Sequence, residues 1–269
     1  MTSKSLRKGL VIGAVVALAL TGCTKKDEAK AEITFGVDAT YAPNEYKDAE
    51  GNLTGWDVEL GEALAAQMGR TPKFVVATFD NIIPGVIGGK YDAGLSSFTD
   101  TPERQKQVDF VDYYSAGSQW ASPVGTSVDA DNACGLTVSV QNGTTQILDD
   151  LPVRNKACTD AGKPAIKVLG FDSQDLASQA VVSGRADAMT ADSPITQYLV
   201  AQSEGKLALV GEPYDVGLYG IVVAKDNMEL SAEMQSAFQE LMDNGTYETI
   251  LKKWGVEVGS VSSITLNGK

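Results

Sequence analysis

Hydroxyl side chains and an arginine lie close together in the stretch SSFTDTPER. Ser96, Ser97 and Thr99 offer hydroxyl donors and acceptors, and Arg104 offers a planar fork of N–H groups that holds a carboxylate by two hydrogen bonds. A carboxylate-binding site is one interpretation of this pattern. The alternative is a structural ion pair between Arg104 and a neighbouring acid, for which the sequence offers Glu103, Asp109 and Asp112.

The residues just before Arg104 predict the start of a helix. Thr101 is a favourable N-cap and Pro102 suits the first helical position, which places Arg104 in the first turn. A positive charge is slightly unfavourable at this end of the helix dipole, so we expect Arg104 to be there for another reason. Free backbone N–H groups at the same helix end would add to an anion site.

The surrounding pattern is that of an α/β protein. Short β-rich runs such as ITFGV and PKFVVA alternate with helical patterns. From Trp56 onward, apolar residues recur on one helical face until Gly69 supplies a stop, and LSAEMQSAFQELMDNG repeats this pattern. We therefore expect core-facing helices packed on a sheet.

An internal echo suggests two similar units. FDNIIPGVIGGKYDAGLSS is matched later in the chain by FDSQDLASQAVVSGRADAMTADS, so that Asp92 aligns with Asp187. Either the chain contains a duplication, or both segments use a common α/β phrase. Both end in polar residues at the C-terminal end of a strand, where open α/β sheets bind ligands.

The composition excludes several classes of function. The 269 residues suffice for one or two domains, and the formal net charge of -13 makes nucleic acid and anionic membrane poor partners. Histidine is absent, which excludes Ser-His-Asp and Cys-His catalytic systems and His-ligated zinc. We expect no metal and no cofactor.

The N-terminus predicts export. MTSKSLRKGLVIGAVVALALTGC has a basic start, an apolar core and small residues before Cys23. Its ending resembles the lipobox of bacterial lipoproteins, which implies a signal peptide at residues 1–22, a lipid on Cys23 and a flexible tether at 23–31. A plain cleaved signal peptide is the alternative. Export also permits a disulfide, and we expect Cys134 to pair with Cys158 unless both are buried thiols.

The mature chain resembles the polar amino-acid-binding proteins of bacterial ABC importers, the family 3 extracellular solute-binding proteins. The resemblance lies in GVDATYAPNEYKDAEGNLTGWDVELGEALA, FDNIIPGVIGGKYDAGLSSFTDTPERQKQVDFVDYY, GRADAMTADSP, LYGIVVAKD and NGTYETILKKWG. It implies a two-lobe, type II periplasmic-binding-protein-like fold whose lobes are joined by two crossing strands. Lobe 1 would comprise residues 32–115 and 219–258, lobe 2 residues 116–218, and a C-terminal tail residues 259–269, with crossings near 114–118 and 215–220.

The resemblance also implies roles for single residues. Arg104 would bind the ligand α-carboxylate, helped by Thr99 and by the backbone around Thr145, and Asp192 would bind the α-ammonium group. Tyr41 and Phe79 would sandwich the ligand side chain. The other implied ligand-binding residues are Asp38, Ser96, Ser97, Gln141 and Thr144.

The ligand itself is less well defined. Asp38 occupies a position that reaches the ligand side chain, and LSSFT and QNGTTQ resemble the lysine/arginine/ornithine branch, so a cationic ligand is favoured over glutamine or glutamate. Two residues depart from the family. Asn44 replaces an aromatic residue and would favour a smaller or more polar ligand if it lined the pocket. Asp100 replaces an apolar residue and either caps the helix or adds a second acid.

The predicted function is that of a monomeric receptor, lipid-anchored on the extracellular face of the cell membrane or in the periplasm. It would capture a free L-amino acid and deliver it to an ABC permease, without enzymatic activity. One alternative is a ligand sensor that docks on a signalling partner. Another is a dehydratase of the same fold that uses Asp38 and Asp100 as acid and base.

Overall fold

The computed structural model describes residues 1–2 and 31–269. The predicted lipidation site Cys23, and all of the signal peptide and tether except residues 1, 2 and 31, lie outside the described residues. In the part of the chain that the structure describes, no helix combines the length and the apolar composition needed to cross a membrane.

Strands and helices alternate along the chain, as the sequence predicts. The strands are β1 (Glu32–Val37), β2 (Thr40–Tyr41), β3 (Glu45–Lys47), β4 (Leu53–Thr54), β5 (Thr71–Val76), β6 (Ala93–Thr99), β7 (Val108–Pro123), β8 (Thr137–Gln141), β9 (Lys167–Phe171), β10 (Ala188–Asp192), β11 (Leu207–Ala224) and β12 (Ser260–Leu266). The helices are α1 (Trp56–Gln67), α2 (Ile82–Ile87), α3 (Pro102–Gln105), α4 (Leu151–Asp160), α5 (Gln174–Val182), α6 (Ser193–Gln202), α7 (Met228–Asp243) and α8 (Thr246–Trp254).

Two long strands connect the two halves of the molecule. The main sheet has the order β5-β1-β6-β11-β7-β10-β8-β9, and β2, β3 and β4 form a small separate sheet. The side with β5, β1 and β6 is called lobe 1 below, and the side with β10, β8 and β9 lobe 2. The antiparallel β7 and β11 pass through both, and their pairing is irregular around Tyr214, Gly217 and Gly220. The mixed sheet and its two crossing strands match the predicted two-lobe fold.

The sequence echo corresponds to a structural repeat. Lobe 1 has the strand order β5-β1-β6 and lobe 2 the order β9-β8-β10. Asp92 N donates to Thr34 O at 2.9 Å, and the Asp92 carboxylate accepts from Thr34 N at 2.7 Å. Asp187 makes the same two bonds with Thr137, at 2.8 and 2.7 Å. These equivalent contacts favour a duplication over a shared local phrase.

The two lobes have separate cores. In lobe 1 the predicted apolar faces of α1 and α7 are buried against β1, β6 and β7, with Trp56, Leu60 and Phe238 fully enclosed. In lobe 2 a smaller core surrounds Trp120, and a disulfide joins Cys134 to Cys158, the pairing that the sequence suggests. The two lobes also pack against each other, because Tyr41 of lobe 1 belongs to a second apolar cluster of lobe 2 that contains Met189 and Ile195.

Two segments differ from their predicted form. α3 begins at Pro102 and is capped by Thr101 as predicted, but it is one turn long, so its dipole adds little to an anion site. Asp100 does not cap it, because the Asp100 carboxylate accepts from Gln105 Nε2 at 2.7 and 2.8 Å. The stretch predicted as a C-terminal tail forms β12, which pairs with β7.

Candidate functional site

A small cavity of about 10 Å³ lies where the lobes meet. It is lined by Tyr41, Phe79, Ser97, Thr99, Arg104, Thr144, Thr145, Gln146 and Asp192. Most of the predicted ligand-binding residues thus come together at one place, from segments far apart in the sequence. The exceptions are Asp38, Ser96 and Gln141, which lie directly behind this lining.

Arg104 is held at the cavity by backbone carbonyls. Its Nη1 donates to Thr99 O at 2.7 Å, and its Nη2 donates across the cleft to Gly143 O at 2.9 Å. The guanidinium carbon lies 5.5 Å from the ring centres of Phe79 and of Phe98. Burial lowers the pKa of Arg104, and the charge of Asp192 opposes this shift. The side chain is therefore a fixed, desolvated cation that faces an acid across the cavity.

Asp192 ends β10 and is surrounded by neutral donors. Its carboxylate accepts from Tyr219 Oη at 2.6 Å, Gln146 Nε2 at 2.7 Å and Tyr41 Oη at 2.9 Å. Burial raises its pKa, and these hydrogen bonds oppose the shift. Sequence reasoning missed Gln146 and Tyr219 as site residues, although both lie in family motifs, QNGTTQ and LYGIVVAKD.

Asp38 is a buried carboxylate without a cationic partner among residues 31–269. It is 2% exposed and accepts from Thr40 N, Thr40 Oγ1, Phe79 N and Gln141 Nε2, at 2.6–3.1 Å. Burial raises its pKa. Because Gln141 belongs to lobe 2, the bond from its amide to Asp38 spans the cleft. Asp38 is thus a buried acid at the lobe boundary that receives only neutral donors.

Asn44 lies behind the cavity and not in its lining. Its Nδ2 donates to Ser97 Oγ at 2.8 Å, and its Oδ1 accepts from Trp56 Nε1 at 2.7 Å. Close packing here requires Gly55, whose φ is 133° and whose Cβ, if present, would lie 1.9 Å from Asn44 O. Asn44, which replaces an aromatic residue of the family, therefore acts by holding the Ser97 side chain. The structure gives no reason to expect a smaller ligand from this replacement.

Hydrogen bonds across the cleft hold the lobes together. Arg104 contacts Gly143, Asp38 contacts Gln141, and Tyr41 contacts Asp192. A cavity of about 10 Å³ has room for about one water molecule, so an amino acid enters only if the lobes separate. A ligand in the cleft would then take over these same polar groups. The arrangement suits a small zwitterion, with Arg104 facing its carboxylate and Asp192 its ammonium group.

Comparison with known proteins identifies the family. The family model described as bacterial extracellular solute-binding proteins, family 3, matches residues 33–257. The chain belongs to this family. An arginine-binding protein of Corynebacterium glutamicum is 37% identical to this solute-binding protein over 237 residues, which are 87% of this chain and 78% of that protein.

Solved structures share the fold. An ancestral arginine-binding protein bound to arginine is 34% identical, with a TM-score of 0.77, and the match covers 84% of this chain and 99% of that one. An ancestral arginine-binding protein bound to glutamine is 33% identical, with the same TM-score, over 86% and 100% of the two chains. These relatives are all named as binding proteins.

Proposed function

We propose that this solute-binding protein captures a cationic L-amino acid, of the arginine, lysine and ornithine class, and delivers it to an ABC permease. Arg104 binds the α-carboxylate, with Thr99 and the backbone around Thr145, and Asp192 binds the α-ammonium group. Tyr41 and Phe79 enclose the ligand side chain. Asp38 receives the charge at the end of that side chain.

The unpaired charge of Asp38 is the observation that carries this proposal. Arg104 and Asp192 balance the two charges of any zwitterion, so Asp38, a second buried acid at the lobe boundary, is left without a cation. A guanidinium or ammonium group that replaced the amide of Gln141 would give Asp38 a charge-assisted hydrogen bond, which is about twice as strong as a neutral one. The names of the relatives point to the same ligand class.

Glutamine is the second candidate. An ancestral arginine-binding protein has been solved with glutamine bound, and a side-chain amide could donate to Asp38 as Gln141 does. The two ligands differ in their dependence on the charge of Asp38. Asp38→Asn should weaken arginine binding much more than glutamine binding, because only arginine loses an ionic partner.

The cellular setting follows from the family and from the N-terminal sequence. We propose a monomer anchored by a lipid on Cys23, with lobe 1 formed by residues 32–115 and 219–258 and lobe 2 by residues 116–218. We expect no enzymatic activity, since the chain has no histidine and the cavity acids are held by neutral hydrogen-bond donors. A sensor role would require a signalling partner in place of the permease.

The direct test is a panel of thermal melts. Residues 31–269 contain every strand and helix of the described structure and both cores, so this segment is expressed without the anchor. Each of the twenty L-amino acids, ornithine and citrulline is added in excess. A ligand at 100 times its Kd should stabilise the native state by about 2.7 kcal/mol. Shifts with arginine, lysine or ornithine support the proposal, a shift with glutamine alone favours the second candidate, and no shift refutes both.

A further inference from the structure

Two carboxyl groups that have no direct role in the proposed ligand contacts lie together inside lobe 1. Glu45 at the start of β3 is 1% exposed, and Asp57 in the first turn of α1 is fully buried. None of the ion pairs formed by residues 31–269 includes either side chain. Two buried carboxyl groups without a cation do not both ionise readily, so the hydrogen bonds around them must show where a proton resides.

The amide of Asn44 fixes the direction of the hydrogen bonds at Ser97. Trp56 Nε1 donates to Asn44 Oδ1, and an indole nitrogen is a donor only. Asn44 Nδ2 is therefore the atom that faces Ser97 Oγ, and it donates to it. Ser97 Oγ accepts on this side and keeps one hydrogen to donate elsewhere.

That single hydrogen faces two carboxyl oxygens. Ser97 Oγ lies 3.0 Å from Glu45 Oε2 and 3.3 Å from Asp57 Oδ2. Ser96 Oγ accepts from Asp38 N, so its own hydrogen points to Glu45 Oε1. If both acids were ionised, Ser97 Oγ could donate to only one of them, and two negative charges would lie buried side by side without a cation. One proton on Glu45 Oε2, donated to Ser97 Oγ, lets Ser97 donate to Asp57 and satisfies every group.

Asp57 is the member of the pair that stays ionised. Tyr113 Oη donates to Asp57 Oδ1 at 2.6 Å, and the backbone N–H of Ser97, which is a donor only, reaches Oδ2 at 3.1 Å. Asp57 also lies in the first turn of a twelve-residue helix, where the dipole favours an anion. Burial raises the pKa of Glu45 well above its usual range and that of Asp57 to about 6.

We propose that Glu45 and Asp57 hold one proton between them and position Ser97 for ligand binding. This inference rests on the proposed function. Ser97 lines the cavity with a φ of 52°, a left-handed conformation that is unusual for serine. It lies where β6 has extra residues relative to β11, and the bond from its N–H to Asp57 holds this bulge. Glu45 and Asp57 are positioning residues, since neither lines the cavity.

Other titratable groups lie close to Glu45 and Asp57, and they contribute to any pH dependence that is measured. Asp38, at the end of β1, raises the pKa of Glu45 by its charge. Burial raises the pKa of Tyr41 in β2 and of Tyr113 in β7, and the charges of Glu45 and Asp57, respectively, add to these shifts. Because Asp38 titrates as well, the pH profile of the wild type alone does not identify the pair. Profiles of variants must be compared with it.

Substitution by amides of the same shape distinguishes the role of Glu45 from that of Asp57. Glu45→Gln keeps an acceptor for Ser96 and a donor for Ser97, so the Kd for arginine should stay within about twofold of the wild type. Asp57→Asn removes the charge that Tyr113 and the Ser97 N–H donate to, and its NH₂ group can face only the Tyr113 hydroxyl, which then loses its acceptor. Binding should weaken about tenfold or more. The matched control is Glu59→Gln, on the same helix, where the acid pairs with Lys253 on the surface and the Kd should not change.

Tyr113→Phe tests the pair if Asp57→Asn fails to fold. In the wild type, arginine binding should weaken as the pH falls through about 6, where Asp57 takes up a proton. Losing the Tyr113 hydroxyl removes a donor to the charged carboxylate, so the midpoint should move up by about one pH unit or more. Circular dichroism checks the fold. An unchanged midpoint in a folded, arginine-binding Tyr113→Phe protein overturns the proposal.

An infrared difference spectrum tests the proton without any ligand. At pH 7 the wild type minus Glu45→Gln should show the C=O band of one protonated carboxyl group, and its absence overturns the shared proton. If the wild type binds an amino acid and folded Asp57→Asn binds it equally well, the positioning role is wrong. If the wild type binds none, the proposed function fails and the role in binding fails with it.

Discussion

Replacing Arg104 by alanine should abolish tight ligand binding. The guanidinium group is aimed at the cavity by Thr99 O and Gly143 O and lies 5.5 Å from the ring centres of Phe79 and Phe98, which stack on each other. Without it, a ligand carboxylate would be enclosed with no cation. Removing one partner of a buried, hydrogen-bonded charge pair costs about 2–5 kcal/mol, which corresponds to a Kd about 30-fold to several thousand-fold weaker.

The stability of the free protein should change much less. Burial lowers the pKa of Arg104, which means that its charged form is disfavoured by the site and that the charge of Asp192 only partly compensates. Alanine removes the desolvation cost together with that attraction, and it also removes the packing against Phe79 and Phe98. We expect the melting temperature without ligand to fall by only a few degrees.

Isothermal titration with arginine measures the first effect, and thermal melts without ligand measure the second. Arg104→Lys is the control, because lysine keeps a charge but loses the planar fork, and its Kd should lie between the other two. An unchanged Kd in Arg104→Ala would refute the carboxylate role. A variant that does not fold would show that Arg104 serves the structure instead.

Three further expectations follow from other buried groups. Asp192→Asn should weaken binding by a similar factor, and a normal titration of that variant would contradict the ammonium role. Burial raises the pKa of Asp112 to about 7, so between about pH 4 and 7 the native state binds a proton that the unfolded chain lacks. The free energy of unfolding should therefore rise as the pH falls through this window. Chemical denaturation should show a weaker dependence on pH for Asp112→Asn than for the wild type. Reducing the Cys134–Cys158 disulfide, which closes a loop of 24 positions, should lower stability by about 3 kcal/mol, and an unchanged melt after verified reduction would contradict this.

The sequence predicted the features that have strong local causes. The helix from Trp56 to Gln67 and the cap at Thr101 follow from apolar spacing and from side-chain chemistry that acts within a few residues. The echo between Asp92 and Asp187 was visible because the two segments carry the same residues at matching positions. Such signals need no knowledge of which segments meet in space.

Contacts between distant segments were harder to predict. Tyr219 and Gln146 meet at Asp192 only because β11, the turn before α4 and β10 converge at the cleft. The pair of Glu45 and Asp57 was missed for the same reason, since burial, not spacing, makes two ordinary surface residue types share a proton. The length of α3 could not be predicted either, because propensity does not show that the helix ends after one turn, which leaves its dipole little effect at the cavity.

The same polar groups close the cleft and are proposed to bind the ligand, and this limits the affinity. The bonds that cross the lobes include those from Arg104 to Gly143, from Gln141 to Asp38 and from Tyr41 to Asp192. Binding replaces protein partners by ligand atoms, so only the difference between the two sets adds to affinity. A neutral side chain would exchange one neutral bond at Asp38 for another, whereas a cation would gain a charge-assisted one. Selectivity for a cationic amino acid is therefore expected to come mainly from this exchange at Asp38, while Arg104 and Asp192 serve every amino acid alike.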